Sequence, residues 1–135
     1  MKIAKDGINS SVRVGYDGKV CKTFHGTDAE KRFTNELRVL TELERRGCDF
    51  VPRILEIDEE SFTIVTTNCG VPAGDLTEKQ VAAIFTSLKD DFGVDHKEPS
   101  LDNLTFDEPR GRFCVINLGE AEILGLPVPV KTFKN

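Results

Sequence analysis

The sequence predicts an α+β domain, and three observations support this class. Short runs of alternating apolar and polar residues indicate strands, and two capping patterns followed by apolar residues at helical spacing indicate helices. A Gly/Pro-rich segment at 68–75 divides the chain. The predicted order is ββ-α-ββ, connection, α, loop, ββ and tail. Strands grouped around a helix, rather than alternating singly with helices, favour α+β architecture.

The first half of the chain predicts two β-hairpins. Alternation over 12–16, a turn at Asp17-Gly18 and the run 19–24 indicate the first hairpin, whose turn we expect to contain two residues. The runs 53–58 and 62–67 flank a polar turn and indicate the second hairpin.

Both helices are predicted from a capping pattern. Thr27 with Glu30, and Thr77 with Gln80, match the capping box, in which two side chains bond each other's backbone N–H groups. Gly47 is the expected stop of the first helix. The apolar residues at helical spacing are Phe33, Leu37, Leu40 and Leu43 in the first helix, and Val81, Ile84, Phe85, Leu88 and Phe92 in the second.

The last part of the chain predicts one more hairpin, from the runs 103–107 and 113–118 around a turn at 109–111. The tail contains Pro127 and Pro129 and is expected to be extended. Because few later helices are expected to cover the second helix, its apolar stripe should be buried by the segment L-G-L-P-V-P-V-K-T-F or by another subunit.

The composition excludes several classes of function. With 39% hydrophobic and 30% charged residues, the chain can form a packed core. The net charge of −5, without a Lys/Arg cluster, argues against nucleic-acid binding. No apolar run reaches the roughly 20 residues of a membrane span. Because Cys21, Cys48, Cys69 and Cys114 form no C-x-x-C pair, we expect free thiols and a cytoplasmic protein.

Two charged residues occupy positions beside apolar residues. Lys22 shares a strand face with Val20 and Phe24, and Glu36 lies on the flank of the apolar face of the first helix. Taken separately, each side chain could extend to water. Taken together, they predict an ion pair where the helix packs on the sheet. A paired ammonium group over a cavity is suited to holding phosphate.

Two asparagines predict a second polar cluster. Asn117 interrupts an apolar strand on the face of Phe113 and Val115, and Asn103 lies just before the paired strand. We expect both amides to face one spot. Their oxygens could hold Mg²⁺ there, but only weakly because they are neutral. The alternative is turn chemistry for Asn103 and a hydrogen-bonded core amide for Asn117.

The loop H-K-E-P-S-L-D-N, residues 96–103, gathers the largest number of functional groups, although a solvated connection is the alternative. With the residues above, this loop resembles the motif set of the protein-kinase-like family. V-C-K ending at Lys22 resembles the V-A-I-K strand, and the loop resembles H-R-D-x-x-x-x-N. N-L-G from Asn117 takes the place of D-F-G, and T-N-C-G at 67–70 resembles the hinge.

The resemblance implies a truncated kinase-like fold in a single domain over 1–135. Its parts are a small antiparallel sheet with one packed helix, a hinge, and then a helix and a β-hairpin in a reduced second lobe. The first lobe covers about 1–67, the hinge about 68–74 and the second lobe about 75–135.

The resemblance also implies the ligands, ATP and Mg²⁺. Lys22 would contact the phosphates and pair with Glu36, and the backbone of Asn68 and Gly70 in the hinge would meet adenine.

The same resemblance implies a catalytic role for Lys22, for Glu98 as the base that accepts the acceptor's proton, and for Asn103 and Asn117 as metal ligands.

The chain departs from the family pattern at the chemical centre. Gly7 is the only glycine where the family has a Gly-rich loop, although Ser10 and Ser11 are small. Glu98 replaces the catalytic aspartate, and the neutral Asn117 replaces a metal-binding aspartate. The residues after Gly119 leave no room for the segment that usually seats a protein substrate.

These departures leave three hypotheses. The chain is a slow ATP-dependent phosphotransferase acting on a hydroxyl group, a pseudokinase that serves as a binding or regulatory module, or an unrelated α+β interaction domain. In the first two hypotheses the partner is a nucleotide, and Mg²⁺ is held weakly or mainly by the nucleotide. A protein partner or a second copy would cover the reduced second lobe.

Overall fold

The computed structural model of the chain describes residues 2–6 and 9–126 and has an α+β fold. The described helices are α1 (Ala29–Arg45) and α2 (Glu78–Phe92), with a 3₁₀ turn at Leu101–Asn103. The described strands are β1 (Lys2–Asp6), β2 (Ser10–Val14), β3 (Val20–Phe24), β4 (Ile54–Asp58), β5 (Thr63–Thr66), β6 (Val71–Pro72), β7 (Val94–Asp95), β8 (Leu104–Asp107), β9 (Arg112–Val115) and β10 (Glu122–Ile123).

A five-stranded antiparallel sheet, in the order β1-β2-β3-β5-β4, forms the first half. Both predicted hairpins belong to it, whereas β1 was not predicted. Lys22 lies on β3 between its cross-strand neighbours Val12 and Ile64. Because Ile64 is fully buried under α1, the register directs Lys22 towards the helix.

The turn of the first hairpin is longer than predicted. Strand β2 ends at Val14 and β3 begins at Val20, so the connection spans residues 15–19 instead of two residues. The N–H of Lys19 donates to Asp17 Oδ1 at 3.0 Å, and the N–H of Gly15 donates to the carbonyl of Lys19 at 2.9 Å. These local bonds replace strand pairing and leave Tyr16 exposed.

The capping box predicted for α2 is confirmed. Thr77 Oγ1 accepts from the N–H of Gln80 at 3.1 Å, and Gln80 Oε1 accepts from the N–H of Thr77 at 2.8 Å. Gly93 ends the helix in a left-handed conformation, with φ of 73°.

The capping box predicted for α1 is wrong. The N-cap is Asp28, without a side-chain capping bond, so Glu30 occupies the second helical position and not the third that the box requires. The C-terminal prediction holds, since the helix ends at Arg45 and Gly47 follows with φ of 80°.

Helix α1 contributes to two apolar clusters. Its first half packs on the sheet, where Phe33 contacts Phe24 with ring centroids 6.2 Å apart. Its second half packs against the other half of the chain. The main residues of that second cluster are Val39, Leu40, Leu43, Leu88, Leu104, Val115 and Leu118. The core therefore crosses the predicted boundary between the lobes.

The predicted hinge is partly ordered as strand. Residues Val71–Pro72 form β6, which pairs with β8 at the edge of the predicted β8-β9 hairpin. Gly70 has φ of 100°, and a Cβ at this position would lie 1.9 Å from the carbonyl oxygen of Phe106. The chain can pass this close to β8 only because residue 70 is glycine.

The apolar stripe of α2 is largely covered within the chain. Phe85 and Leu88 are buried, and the other stripe residues are half-buried against the second core cluster. A groove of about 530 Å³, lined by Val81, Phe85 and Leu101 among others, runs beside it. The tail predicted to cover this stripe continues from 127 outside the described residues. None of the described helices is long and apolar enough to span a bilayer.

We expect Thr77→Ala to lower the free energy of unfolding by about 1 kcal/mol, because it removes the side-chain acceptor at the start of α2. Thr27→Ala is the matched control, since Thr27 does not cap α1, and its effect should stay within about 0.5 kcal/mol. Urea unfolding followed by circular dichroism measures both. Equal losses in the two variants would contradict this assignment of the caps.

Candidate functional site

A cleft of about 670 Å³ lies where the sheet, the start of α1 and the second half of the chain meet. Asn9 and Ser10 line it from the sheet side. The predicted site residues Lys22, Glu98, Asn103 and Asn117 line it as well. Gly7 was predicted to stand where the protein-kinase-like family has its Gly-rich loop. Residues 7 and 8 lie outside the described residues.

Lys22 forms the predicted ion pair with Glu36. Its Nζ lies 2.9 Å from Glu36 Oε1, and the two side chains are only 11% and 7% exposed. The same Nζ donates to Asn117 Oδ1 at 3.1 Å and lies 4.9 Å from the centroid of the Phe24 ring. The ammonium group is therefore held by a carboxylate, an amide and an aromatic face at the wall of the cleft.

The two predicted amides converge and bond to each other. Asn117 Nδ2 donates to Asn103 Oδ1 at 2.6 Å, and Asn103 Nδ2 donates to the carbonyl of Glu98 at 2.9 Å. Together with Lys22 and Glu36 they form one continuous chain of hydrogen bonds, which we call the polar chain.

The sequence had predicted that Asn117 lies within a strand, and this prediction is wrong. Strand β9 ends at Val115, and Asn117 adopts a left-handed conformation with φ of 63°. Asparagine tolerates this region better than most residues with a Cβ. The turn aims the amide across the end of the hairpin, towards Lys22 and Asn103.

The amides form a poor magnesium site as they stand. Both side-chain oxygens are neutral, and each already accepts a hydrogen bond, from Lys22 in one case and from Asn117 in the other. Among the described residues, no group of three or more His, Cys, Asp or Glu side chains is placed to hold a metal ion. A cation here would need most of its ligands from a bound molecule.

The buried His96 holds the 96–103 loop in place through two hydrogen bonds of its ring. Its Nε2 donates to the carbonyl of Ile116 at 2.8 Å, and its Nδ1 accepts from the N–H of Glu98 at 3.2 Å. This pairing requires the neutral ring with the proton on Nε2. The buried ring also contacts Phe85 at a centroid distance of 5.0 Å. His96 thus couples the loop to the residue preceding Asn117.

Glu98 is exposed at the rim of the cleft, so its carboxylate can reach a bound molecule. The preceding Lys97 has φ of 76° and pairs with Glu122 at 2.9 Å and Asp95 at 3.5 Å. These carboxylates, Glu122 foremost, raise the pKa of Lys97. The contacts hold the turn that presents Glu98.

Asn68 and Gly70, the predicted adenine contacts, are not among the described residues lining the cleft. Asn68 Oδ1 accepts from the N–H of Gly70 at 2.8 Å, which closes a local turn. Cys69 between them is buried against Cys114. The hydrogen bond between these thiols, together with burial, raises the pKa of Cys69, and the same bond lowers the pKa of Cys114.

Several cleft residues were missed as site candidates. Asp102, Glu120 and Arg32 line the cleft. Asn35 holds one side of it, because its Nδ2 donates to the carbonyls of Gly119 and Ala121, each at 2.9 Å. Arg32 could have been found, since it precedes Glu36 by one helical turn. The contacts of Asn35 span more than 80 positions and leave no local pattern.

No protein-family model matches the chain, and no curated protein matches it significantly.

We expect a strong energetic coupling between Lys22 and Glu36. Lys22→Met and Glu36→Leu should each lower stability by about 3 kcal/mol, because each leaves one buried charge without its partner. The double variant should lose much less than the sum. Urea unfolding measures all three, since urea does not screen charge as guanidinium does.

The exposed pair of Lys19 and Glu56, 3.7 Å apart, provides the control cycle. Its coupling should not exceed about 0.5 kcal/mol, because solvent screens both charges. Additive effects at Lys22 and Glu36 would show that the buried pair carries no special coupling.

Proposed function

We propose that the chain is a nucleotide-binding protein of the protein-kinase-like type. The observation that carries this proposal is the ion pair of Lys22 and Glu36 at the wall of a cleft. In that family a lysine on the third strand, paired with a glutamate on the following helix, orients the phosphates of ATP. The positions of Lys22 on β3 and Glu36 on α1 agree with this pattern.

The order of elements also supports the proposal. Along the chain, α1 follows β3 and precedes β4, and all the strands of the first half belong to one five-stranded sheet. The second half begins after a short connection, as expected for a truncated kinase-like fold. Val12 is the cross-strand partner of Lys22 and lines the cleft. It offers an apolar contact for a bound base.

The polar chain favours binding over rapid turnover. Phosphoryl transfer depends on positioning and on charge stabilisation, to which metal ions contribute strongly. Asn117 supplies no negative charge for a metal and is already committed to Lys22 and Asn103. We therefore propose that bound Mg²⁺ is held mainly by the oxygens of the nucleotide. On this view the chain is a pseudokinase whose role is binding or regulation.

A slow phosphotransferase is the second candidate function. It is favoured by the carboxylates of Glu98 and Asp102, which line the same cleft as Lys22. Glu98 would accept the proton of a hydroxyl acceptor, as the family's aspartate does. Turnover of radiolabelled ATP by the wild-type chain, abolished by Glu98→Gln, would support this candidate. Turnover unchanged by Glu98→Gln would exclude a role for Glu98 as the base.

We expect ATP alone to raise the melting temperature of the wild type, with little further gain from Mg²⁺, because a ligand that binds the native state stabilises it by mass action. Asn117→Asp places a carboxylate beside the phosphates and should make the ATP-induced shift depend on Mg²⁺. Thermal unfolding of both proteins with ATP and with ATP plus Mg²⁺ makes the comparison.

Two variants control this experiment. Lys22→Met should abolish the ATP-induced shift, while Lys19→Met, on the exposed hairpin turn, should retain it. The absence of a shift in wild type at millimolar ATP would favour an unrelated interaction domain. If the Asn117→Asp variant has a lower melting temperature and Mg²⁺ does not increase its ATP-induced shift, the proposed position of the metal is contradicted.

A further inference from the structure

Arg32 is the second cationic residue that lines the cleft. It lies on α1 one turn before Glu36, so both side chains project from the same helix face. The side chain of Arg32 is only 12% exposed. A guanidinium group in this position needs acceptors for its five N–H donors.

The partners that Arg32 has in the chain are weak. Its Nη2 donates to the carbonyl of His25 at 3.2 Å, and its Nη1 lies 3.9 Å from the carboxylate of Asp28, which is 64% exposed. Its Nε is buried and has no hydrogen-bond partner among the described residues. Lys22, by contrast, donates to Glu36 and to Asn117 and has one of its three N–H donors left. Arg32 is therefore the cleft cation with the most donors to spare.

Gly119 lines the cleft and lies between the ion pair and Arg32. A Cβ at Gly119 would lie 3.6 Å from Glu36 Oε1, 3.6 Å from Phe24 Cε2 and 3.7 Å from the Cβ of Arg32. The ion pair and Arg32 thus border the same glycine. Because residue 119 is glycine, no side chain of its own occupies the position that these atoms border.

The charge of the cleft makes the contribution of Arg32 necessary for an anion. Glu98, Asp102 and Glu120 also line the cleft and repel phosphate. The charge of Lys22 is largely offset by Glu36 at 2.9 Å, whereas Arg32 has a longer ion pair of 3.9 Å with the solvated Asp28. A phosphate that replaces Asp28 exchanges a loose contact for charge-assisted bonds to a planar fork.

We propose that Arg32 binds the terminal phosphate of a nucleoside triphosphate and makes the cleft selective for triphosphates over diphosphates. The inference rests on the proposed nucleotide function, in which Lys22 contacts the inner phosphates. Arg32 then acts at the outer end, across Gly119. A diphosphate that occupies the Lys22 end does not extend to Arg32 and does not gain its contact.

The test is calorimetric titration of ATP and ADP into wild type, Arg32→Gln and Lys31→Gln. Wild type should bind ATP about tenfold more tightly than ADP. Arg32→Gln should weaken ATP binding about tenfold, the loss expected for a charge-assisted contact, and change ADP binding by less than about twofold. Lys31→Gln removes the same charge from the adjacent exposed residue, which does not line the cleft, and should retain both affinities.

Arg32→Lys provides a second variant should Arg32→Gln fail to fold, because it keeps the charge but not the planar fork; its ATP preference should be reduced. Equal losses of ATP and ADP affinity, or no loss, would overturn the role of Arg32. Wild type that binds neither nucleotide would instead refute the proposed function. In that case, inorganic triphosphate should be titrated into wild type and Arg32→Gln. Binding to wild type that is lost in Arg32→Gln would support an anion site at Arg32 alone, and no binding to wild type would refute that site as well.

Discussion

The buried pair of Lys22 and Glu36 is the constraint to which the surrounding structure conforms. An ammonium group and a carboxylate leave water at a cost of several kcal/mol each, so they are tolerated only in a closely fixed arrangement. Glu36 reaches Lys22 because α1 lies across the sheet. The third partner, Asn117, reaches Lys22 only when the turn after β9 closes against both. Three separate parts of the chain are thereby positioned by one charged group.

The polar chain extends this constraint to the 96–103 loop. The hydrogen bonds are continuous because residue 117 is an amide, which can accept from Lys22 and donate to Asn103 at the same time. A carboxylate would accept from Lys22 but could not donate to Asn103. The neutral amide at 117 therefore links Lys22 of the sheet to Asn103 of the loop.

Local periodicity was sufficient to predict the charged pair but not its surroundings. The strand period places Lys22 beside Phe24, and the helix period places Glu36 beside Leu40, so two short patterns predict their meeting. The helix caps were less predictable. Helix α1 has its N-cap at Asp28, one residue later than predicted, and the predicted capping bonds of Thr27 and Glu30 do not form. The left-handed turn at Asn117 and the contacts of Asn35 depend on partners distant in sequence. They could not be inferred from short-range patterns.

The sharing of α1 between two apolar clusters restricts how the molecule can move. A tilt large enough to separate Glu36 from Lys22 would also withdraw Leu40 and Leu43 from the cluster that holds Leu88 and Leu104. Opening the ion pair in this way therefore costs close-packed contacts in the other half of the chain. We therefore expect the ion pair to stay closed in the folded chain. The two halves should also lose their structure together, as one cooperative unit.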